Sequence, residues 1–430
     1  MTRVDTVIIG AGLAGLSTAL HLDSEYVVLE KDARAGGLSV TNEVDGYYFD
    51  VTGHWLHMRD PDIRRRFGSL VQMGEVVRQS KIFTHHRLIS YPFQSNLKDL
   101  PDDCKLACLS GAVDAHIRRL QGTPEPESFD RFVLHHFGEG IAREFMFPYN
   151  QKLWGVEPAE ISRAWCQRFV PVPDLKQILE GTFTDANERG GYNASFSYPL
   201  QGGIGAFTHA AAAQVDAMQL NSGVARIHAG EKWVETVAGQ RWSYKNLVST
   251  MPLKELADVI VDAPASVRDA GDRLRCTSVR YLDLGIDRQV LQGQHWLYIP
   301  DPQSVVYRMG CYSNAMPSMA PEGCSSLYVE LANGMEYSDE QALAEALDII
   351  SSVGPTVTLE NVAVNRSRKI EFAYVIYDWE YEAARSQVMD FVTAAGIQST
   401  GRYGKWVYSS MEDALLDGQK AASRIAEVNG

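Results

Sequence analysis

Asp5-Thr6-Val7-Ile8-Ile9-Gly10-Ala11-Gly12-Leu13-Ala14-Gly15 is the stretch that decides the fold. Asp5 to Ile9 is short and apolar without alternation, so it reads as a buried strand of a parallel sheet. The apolar run from Leu16 to Leu22 reads as the helix that follows. Between them Gly10 permits a tight turn, Gly12 lets backbone approach a pyrophosphate, and Gly15 lets the helix lie close on the sheet. The unpaired N–H groups and dipole at such a helix start favour phosphate. A lone G-x-G-x-x-G also describes a glycine turn in an unrelated α/β protein. Here a second strand, Tyr26-Val27-Val28-Leu29, ends in Glu30, twenty residues past Gly10, where a carboxylate can accept hydrogen bonds from a ribose.

The remainder of the chain sets bounds on that reading. Its 430 residues suffice for two or three domains, and with 45% hydrophobic and 22% charged residues it is an ordinary globular composition. A net charge of -14 with no basic stripe excludes a surface that tracks nucleic-acid phosphates. The six cysteines, Cys104, Cys108, Cys166, Cys276, Cys311 and Cys324, show no paired zinc spacing, so reduced thiols and a cytoplasmic location are expected. Val7 to Leu20 lacks the basic flank of a signal peptide and is broken by glycines. No apolar run reaches the ~20 residues of a membrane span. No metal is expected: His54 and His57 lack a zinc context, no H-E-x-x-H or G-x-S-x-G occurs, and His85-His86 read as a solvated strand end.

Three further segments point to the kind of dinucleotide. Glu30-Lys31-Asp32-Ala33-Arg34-Ala35-Gly36-Gly37-Leu38 resembles the extension of FAD-binding amine-oxidase-like families, where a second glycine pair meets the diphosphate and ribityl chain. Phe49-Asp50-Val51-Thr52-Gly53-His54 resembles their segment beneath the isoalloxazine, and Thr400-Gly401-Arg402-Tyr403-Gly404 their glycine-rich return to the flavin. That resemblance implies an α/β fold class with a Rossmann-like FAD-binding domain assembled from residues 1–80, 199–255 and 390–430. Residues 81–198 are expected to form a mainly helical nucleotide and substrate domain, with Phe129, Phe132, Val133, Phe137 and Ile141 at core spacing. Residues 256–389 are expected to form a mainly antiparallel sheet that also lines the substrate, since Val279 to Leu284 and Leu327 to Glu330 alternate.

The middle of the chain is more specific. Ser90-Tyr91-Pro92-Phe93-Gln94-Ser95-Asn96 resembles the Y-P-F-Q-x-N loop of UDP-galactopyranose mutases, the eukaryotic-type branch in particular. Pro148-Tyr149-Asn150-Gln151-Lys152-Leu153-Trp154 resembles their P-Y-N-x-K-x-W stretch. Ala164 to Arg168, Tyr192 to Pro199, Val306-Tyr307-Arg308, Tyr312-Ser313-Asn314 and Gly401 to Tyr408 follow in matching order. The resemblance implies an FAD enzyme that interconverts the pyranose and furanose forms of a UDP-sugar through a covalent flavin N5–sugar adduct, with no net redox. The flavin must be reduced, with NADH or NADPH as candidate reductants.

The same resemblance assigns roles. Arg168 and Arg308 would hold the diphosphate, where guanidinium suits phosphate bidentately and keeps its charge. His54 would lie beside the isoalloxazine, and with the two arginines it completes the catalytic set. Gly10, Gly12, Gly15, Glu30, Lys31, Gly36, Gly37, Leu38, Gly53, His54 and Arg402 would bind the cofactor. Tyr91, Phe93 and Gln94 would stack on and read uracil, with Asn96, Trp154, Asn193, Tyr312, Asn314, Tyr374 and Tyr408 completing the nucleotide-sugar pocket. Taken singly, each arginine reads as well as a surface or salt-bridged residue, each tyrosine as a structural one, and Tyr-Pro-Phe as a loop covering core. Thr52 stands where the family usually has glycine, Val375 replaces the usual proline after Tyr374, and Ser409 to Asp413 depart from the pattern. A net-redox oxidase or dehydrogenase of the amine oxidase or protoporphyrinogen oxidase type is the second reading. A non-catalytic flavin-fold binding protein is the third, against which the complete fingerprint speaks. Sequence leaves the oligomeric state and the sugar open.

Overall fold

A computed structural model describes residues 1–185 and 194–429; for Gln167, Arg168, Val428 and Asn429 it describes the backbone alone. The strand Thr6–Ile9 is buried at every position, as a strand covered on both faces must be. It lies at the centre of a five-stranded parallel sheet in the order Met218–Gln219, Tyr26–Leu29, Thr6–Ile9, Asn246–Ser249, Ile397–Ser399. The helix Leu13–Leu20 starts earlier than the apolar run suggests, because Gly12 is already its N-cap. It packs against the C-terminal helix Met411–Asn429, and the Ser17 hydroxyl donates to the Leu415 carbonyl at 2.6 Å. The helix Gly203–Ala212 is opened by Gly202 in the left-handed conformation at φ 75°.

A second sheet of seven strands stands beside it, in the order Val362–Val375, Cys276–Ile286, Ser325–Leu331, Val306–Cys311, Trp296–Tyr298, Ser80–Thr84, Arg87–Ser90. Every neighbouring pair is antiparallel except Trp296–Tyr298 with Ser80–Thr84. The hairpin of residues 80–90 therefore extends the sheet, although it precedes the helices in the chain. The helix Asp339–Val353 covers the other face of this sheet. Its apolar side (Ala342, Leu343, Ala346, Ile350) repeats every three or four residues, and a Ser338/Gln341 capping box starts it.

The helical layer consists of Asp102–Leu120, Phe129–Ile141, a π-turn at Ala142–Met146, Phe147–Trp154 and Leu175–Phe183. Phe129, Phe132, Val133, Phe137 and Ile141 are all buried in the largest hydrophobic cluster, which is why this segment is helical. No helix among the described residues is long and apolar enough to cross a membrane.

Candidate flavin and substrate site

The cofactor cradle follows from backbone geometry. Gly10 adopts φ 93°, which only glycine takes without cost, and its N–H donates to the Leu29 carbonyl at 2.8 Å. A Cβ on Gly15 would lie 1.9 Å from the Gly10 carbonyl oxygen, so helix and turn can approach this closely only without a side chain. Gly12 caps the helix with no side-chain acceptor, which leaves the first N–H groups open to a phosphate. Opposite it stand Gly36 at φ 122° and Gly37 at φ 58°, and a Cβ on Gly37 would come within 3.3 Å of the Gly12 Cα. Glu30 is buried at the end of its strand. It accepts from the Ala11 N–H at 2.6 Å and the Asp32 N–H at 2.8 Å. The carboxylate thus also shapes the phosphate turn, a role the spacing alone does not reveal. Lys31 is exposed and Leu38 half-buried. A cleft of about 410 Å³ opens beside them, bounded by Arg34, Gly37, Leu38, Val51, Arg368 and Lys369. A cradle that side chains would fill, an open helix start and a buried ribose-side carboxylate fit an FAD.

The segment expected beneath the flavin ring is held under tension. After the strand Tyr47–Asp50, Thr52 takes φ 58°, a left-handed conformation unfavourable for a β-branched residue. The Tyr312 hydroxyl lies 3.0 Å from both the Asp50 and Thr52 carbonyls and fastens this turn. A Cβ on Gly53 would meet the Tyr328 hydroxyl at 2.7 Å. His54 Nδ1 lies 2.6 Å from the Val51 carbonyl, so it carries the proton and donates, leaving Nε2 as an acceptor. Burial first, and then the charges of Arg402 and Arg308, lower its pKa to about 4. The imidazole is therefore neutral near pH 7.

Arg308 is placed by a partner that the motif matching missed. Its Nε and Nη2 donate to the two oxygens of Glu330 at 2.6 and 2.7 Å, and Nη2 also donates to the Tyr374 hydroxyl at 3.0 Å. Glu330 is 1% exposed. Burial opposes the charge on Arg308, but Glu330 together with Tyr374, Tyr149 and Tyr307 outweighs it and holds the guanidinium ionised. What Arg308 can offer a substrate is the edge at Nη1, which has no hydrogen bond among the described residues. The signal for Glu330 was a charge inside Ser325–Leu331, a strand buried at all seven positions.

Around this pair stands an aromatic wall. Tyr374 and Tyr408 lie 5.7 Å apart, Trp154 meets Tyr374 edge-on at 5.7 Å, and Phe169 meets Tyr408 at 4.4 Å. The Arg402 guanidinium lies 4.8 Å from the Tyr408 ring centre, while Nη1 and Nη2 donate to the Ser409 and Ala373 carbonyls. Its buried Nε has no acceptor among the described residues, a donor that a polar ring edge would satisfy. Tyr91 stacks on Tyr298 at 4.8 Å with Arg78 over its face, and Tyr298 meets Tyr149 at 5.4 Å. Tyr149 and Tyr298, absent from the sequence assignment, link the Tyr91 loop to Arg308.

Several assigned residues are committed to contacts within the protein. Phe93 is fully buried and stacks on Phe145 at 5.1 Å, so its ring packs the core. Gln94 donates to the Pro171 carbonyl at 2.8 Å, Asn96 to Pro92 at 2.9 Å, and both are buried. Tyr312 is fully buried, and Asn314 donates to the Val290 and Gln294 carbonyls. The polar groups of Gln94, Asn96, Tyr312 and Asn314 are thus committed to backbone carbonyls, and only that of Asn96 bonds within its own loop. Arg168 lies in the short helix Cys166–Phe169, its side chain outside the described part of the structure, and Asn193 lies outside the described residues.

Known proteins bear on this site in three ways. A crystal structure of reduced UDP-galactopyranose mutase is similar over 99% of this chain and 96% of that one, with a TM-score of 0.91 and 26% identity. Wild-type putrescine oxidase bound to putrescine is similar over 99% of each chain at a TM-score of 0.66 and 16% identity, which speaks to the fold alone. Among curated relatives, chloroplastic protoporphyrinogen oxidase 1 of Spinacia oleracea is 26% identical over 203 residues, 43% of this chain and 36% of that protein. The match thus spans little more than a third of that relative's length. The sequence profile described as "Flavin containing amine oxidoreductase" matches residues 13–426, nearly the whole length over which cradle, flavin turn and arginine cluster are distributed, and the chain belongs to that family.

Proposed function

We propose that this chain is a flavin-dependent nucleotide-sugar mutase that interconverts the pyranose and furanose forms of a UDP-sugar, galactose or a relative. The observation that carries this reading is the likeness to reduced UDP-galactopyranose mutase over 99% of the chain at a TM-score of 0.91. Reduced flavin would supply the nucleophile for the anomeric carbon, and no net electrons leave the enzyme. The chain's own residues then have three tasks. Arg308, fixed by Glu330, presents its Nη1 edge to a diphosphate, so that the leaving nucleotide is stabilised and retained. Arg168 would meet the other side of the diphosphate, from a segment pinned through the Gln94 contact to Pro171. Neutral His54, with its Nδ1 proton committed to Val51, offers an acceptor toward the flavin and is no proton donor near pH 7. Tyr91, Tyr374 and Tyr408 provide faces and hydroxyls for base and sugar.

The experiment is direct. The dithionite-reduced flavoprotein, given UDP-galactopyranose and other nucleotide sugars, is expected to yield furanose by chromatography. Arg308→Ala is expected to weaken UDP binding at least about tenfold while flavin stays bound. The second reading, net redox turnover, is favoured by the protoporphyrinogen oxidase relative. No furanose from any nucleotide sugar, together with oxygen consumption on an amine or porphyrinogen, would establish it instead.

A further inference from the structure

Far from the flavin cradle, at the outer edge of the seven-stranded sheet, three side chains of different chemistry converge. Strands Ser80–Thr84 and Arg87–Ser90 pair with Thr84 opposite Arg87, so His85 and His86 form a two-residue turn. Both take positive φ, 50° and 55°, where asparagine or glycine is the usual choice. His85 Nε2 lies 2.9 Å from Glu144 Oε2 in the π-turn Ala142–Met146, and 3.6 Å from the Cys104 thiol in the helix Asp102–Leu120. Together the imidazole nitrogen, thiol sulfur and carboxylate oxygen lie within 4.8 Å of one another.

A neutral imidazole has one proton or one lone pair at Nε2, and both the carboxylate and the thiol meet it there, the thiol also within hydrogen-bond reach of Glu144 and Asp103. A shared cation serves all three. In tetrahedral zinc coordination a nitrogen and a sulfur ligand stand about 3.5 Å apart, and a nitrogen and an oxygen about 3.3 Å. The observed 3.6 and 2.9 Å are close to those edges, and the sulfur and the carboxylate oxygen lie within 4.8 Å of each other. The other oxygen of Glu144 is engaged by Arg143 at 3.2 Å, which leaves Oε2 directed at the cluster. That guanidinium is 69% exposed, so solvent screens its opposition to a cation. His85 is 36% exposed, which gives an ion a way in and leaves a fourth position for water.

We propose that His85, Cys104 and Glu144 bind a divalent cation of the zinc class. Nitrogen, sulfur and oxygen donors together suit zinc better than the hard, oxygen-seeking magnesium or calcium. On binding, the thiol gives up its proton to solvent and coordinates as thiolate. The ion fastens the hairpin tip, on the sheet's edge strand, to the helical layer. Ser90 at the other end of that strand leads directly into Tyr91, so the fastening steadies the loop that stacks on Tyr298. By sequence alone these histidines read as a solvated strand end; the fold brings Cys104 and Glu144 to them.

Equilibrium dialysis of the chelator-treated flavoprotein against buffered zinc, with metal quantified per flavin, tests this. One zinc per chain is expected, and His85→Ala and Cys104→Ser are each expected to weaken it about tenfold or more. Cys324→Ser, a half-buried thiol remote from the cluster, is expected to bind as the parent does. All three substitutions lie away from the flavin cradle, and retained yellow colour reports an intact fold. The site is refuted if the parent shows no saturable uptake at one equivalent, or if uptake survives both the His85 and Cys104 changes unaltered.

Discussion

Glu330 shows how a single residue sets the chemistry of another. Its carboxylate is almost wholly buried and is matched edge to edge by Arg308, so removing it strands a buried guanidinium. Breaking such a pair by deleting one partner costs about 3–5 kcal/mol. Glu330→Ala is therefore expected to lower the unfolding free energy in denaturant titrations by about that amount. Glu330→Gln, which keeps the shape, is expected to lose less stability but to weaken UDP binding, as read by ligand titration. Thr52 is the opposite case, a residue that the backbone would rather do without. A β-branched side chain at φ 58° carries strain of about 1–2 kcal/mol, and Thr52→Gly removes it at some cost in chain entropy. Thermal unfolding of Thr52→Gly is expected at an equal or slightly higher temperature than the parent, with the flavin spectrum retained. A clear loss of stability would show that the threonine makes a contact worth more than its strain.

At the scale of elements, the strand–turn–helix at residues 6–20 acts as one unit. Its glycines do different work: Gly10 supplies a conformation, Gly15 a distance, and Gly12 with Gly37 a surface of bare backbone. Gly15→Ala would drive a methyl to within 1.9 Å of the Gly10 carbonyl, a backbone atom that cannot yield without displacing the helix. Purified Gly15→Ala protein is expected to contain less than about a tenth of the parent's flavin by absorbance, since helix start and phosphate turn move together. Much of this was legible in the chain. The apolar run, the glycine spacing and Glu30 name the unit, because local sterics determine it. The hairpin of residues 80–90 was not legible, because its membership in the seven-stranded sheet depends on Trp296–Tyr298, two hundred residues away. The contacts of Phe93, Asn96 and Tyr312 were not legible for a related reason. A motif records that a residue type sits in a loop, whereas packing decides which way it points.

Across the whole molecule, packing buries carboxyl groups along with the apolar side chains. Asp283 on the strand Cys276–Ile286 is 1% exposed, and neither of its carboxylate oxygens has a hydrogen-bond partner among the described residues. Burial raises its pKa to about 7, although Arg368 and Arg366 pull it downward. It also adds to the burial that raises Asp50, on the flavin-side strand, to about 7. The sign follows from linkage. A carboxyl whose folded pKa exceeds its unfolded value of 3.8 stabilises below that value and loses the contribution as pH rises through 7. Asp283→Asn does not titrate, so its stability relative to the parent is expected to rise between pH 4 and 7 and to level off above. The gain is on the order of 4 kcal/mol at pH 8, read from unfolding titrations at several pH values. A difference independent of pH would show that Asp283 is ionised in the native state throughout.

By itself the sequence determined that this chain grips a dinucleotide, and with its further segments that it belongs with flavoproteins, because those properties rest on backbone conformations that only certain residues permit. Tertiary structure decided which contacts the matched residues make. It paired Arg308 with Glu330, set Tyr149 and Tyr298 behind Tyr91, turned Phe93 and Tyr312 inward, and brought His85 to Cys104 and Glu144. Contacts of that kind join strands and helices remote in the chain. Their partners are chosen by burial and by the cost of leaving buried polar groups unpaired, and neither is visible until the elements are packed.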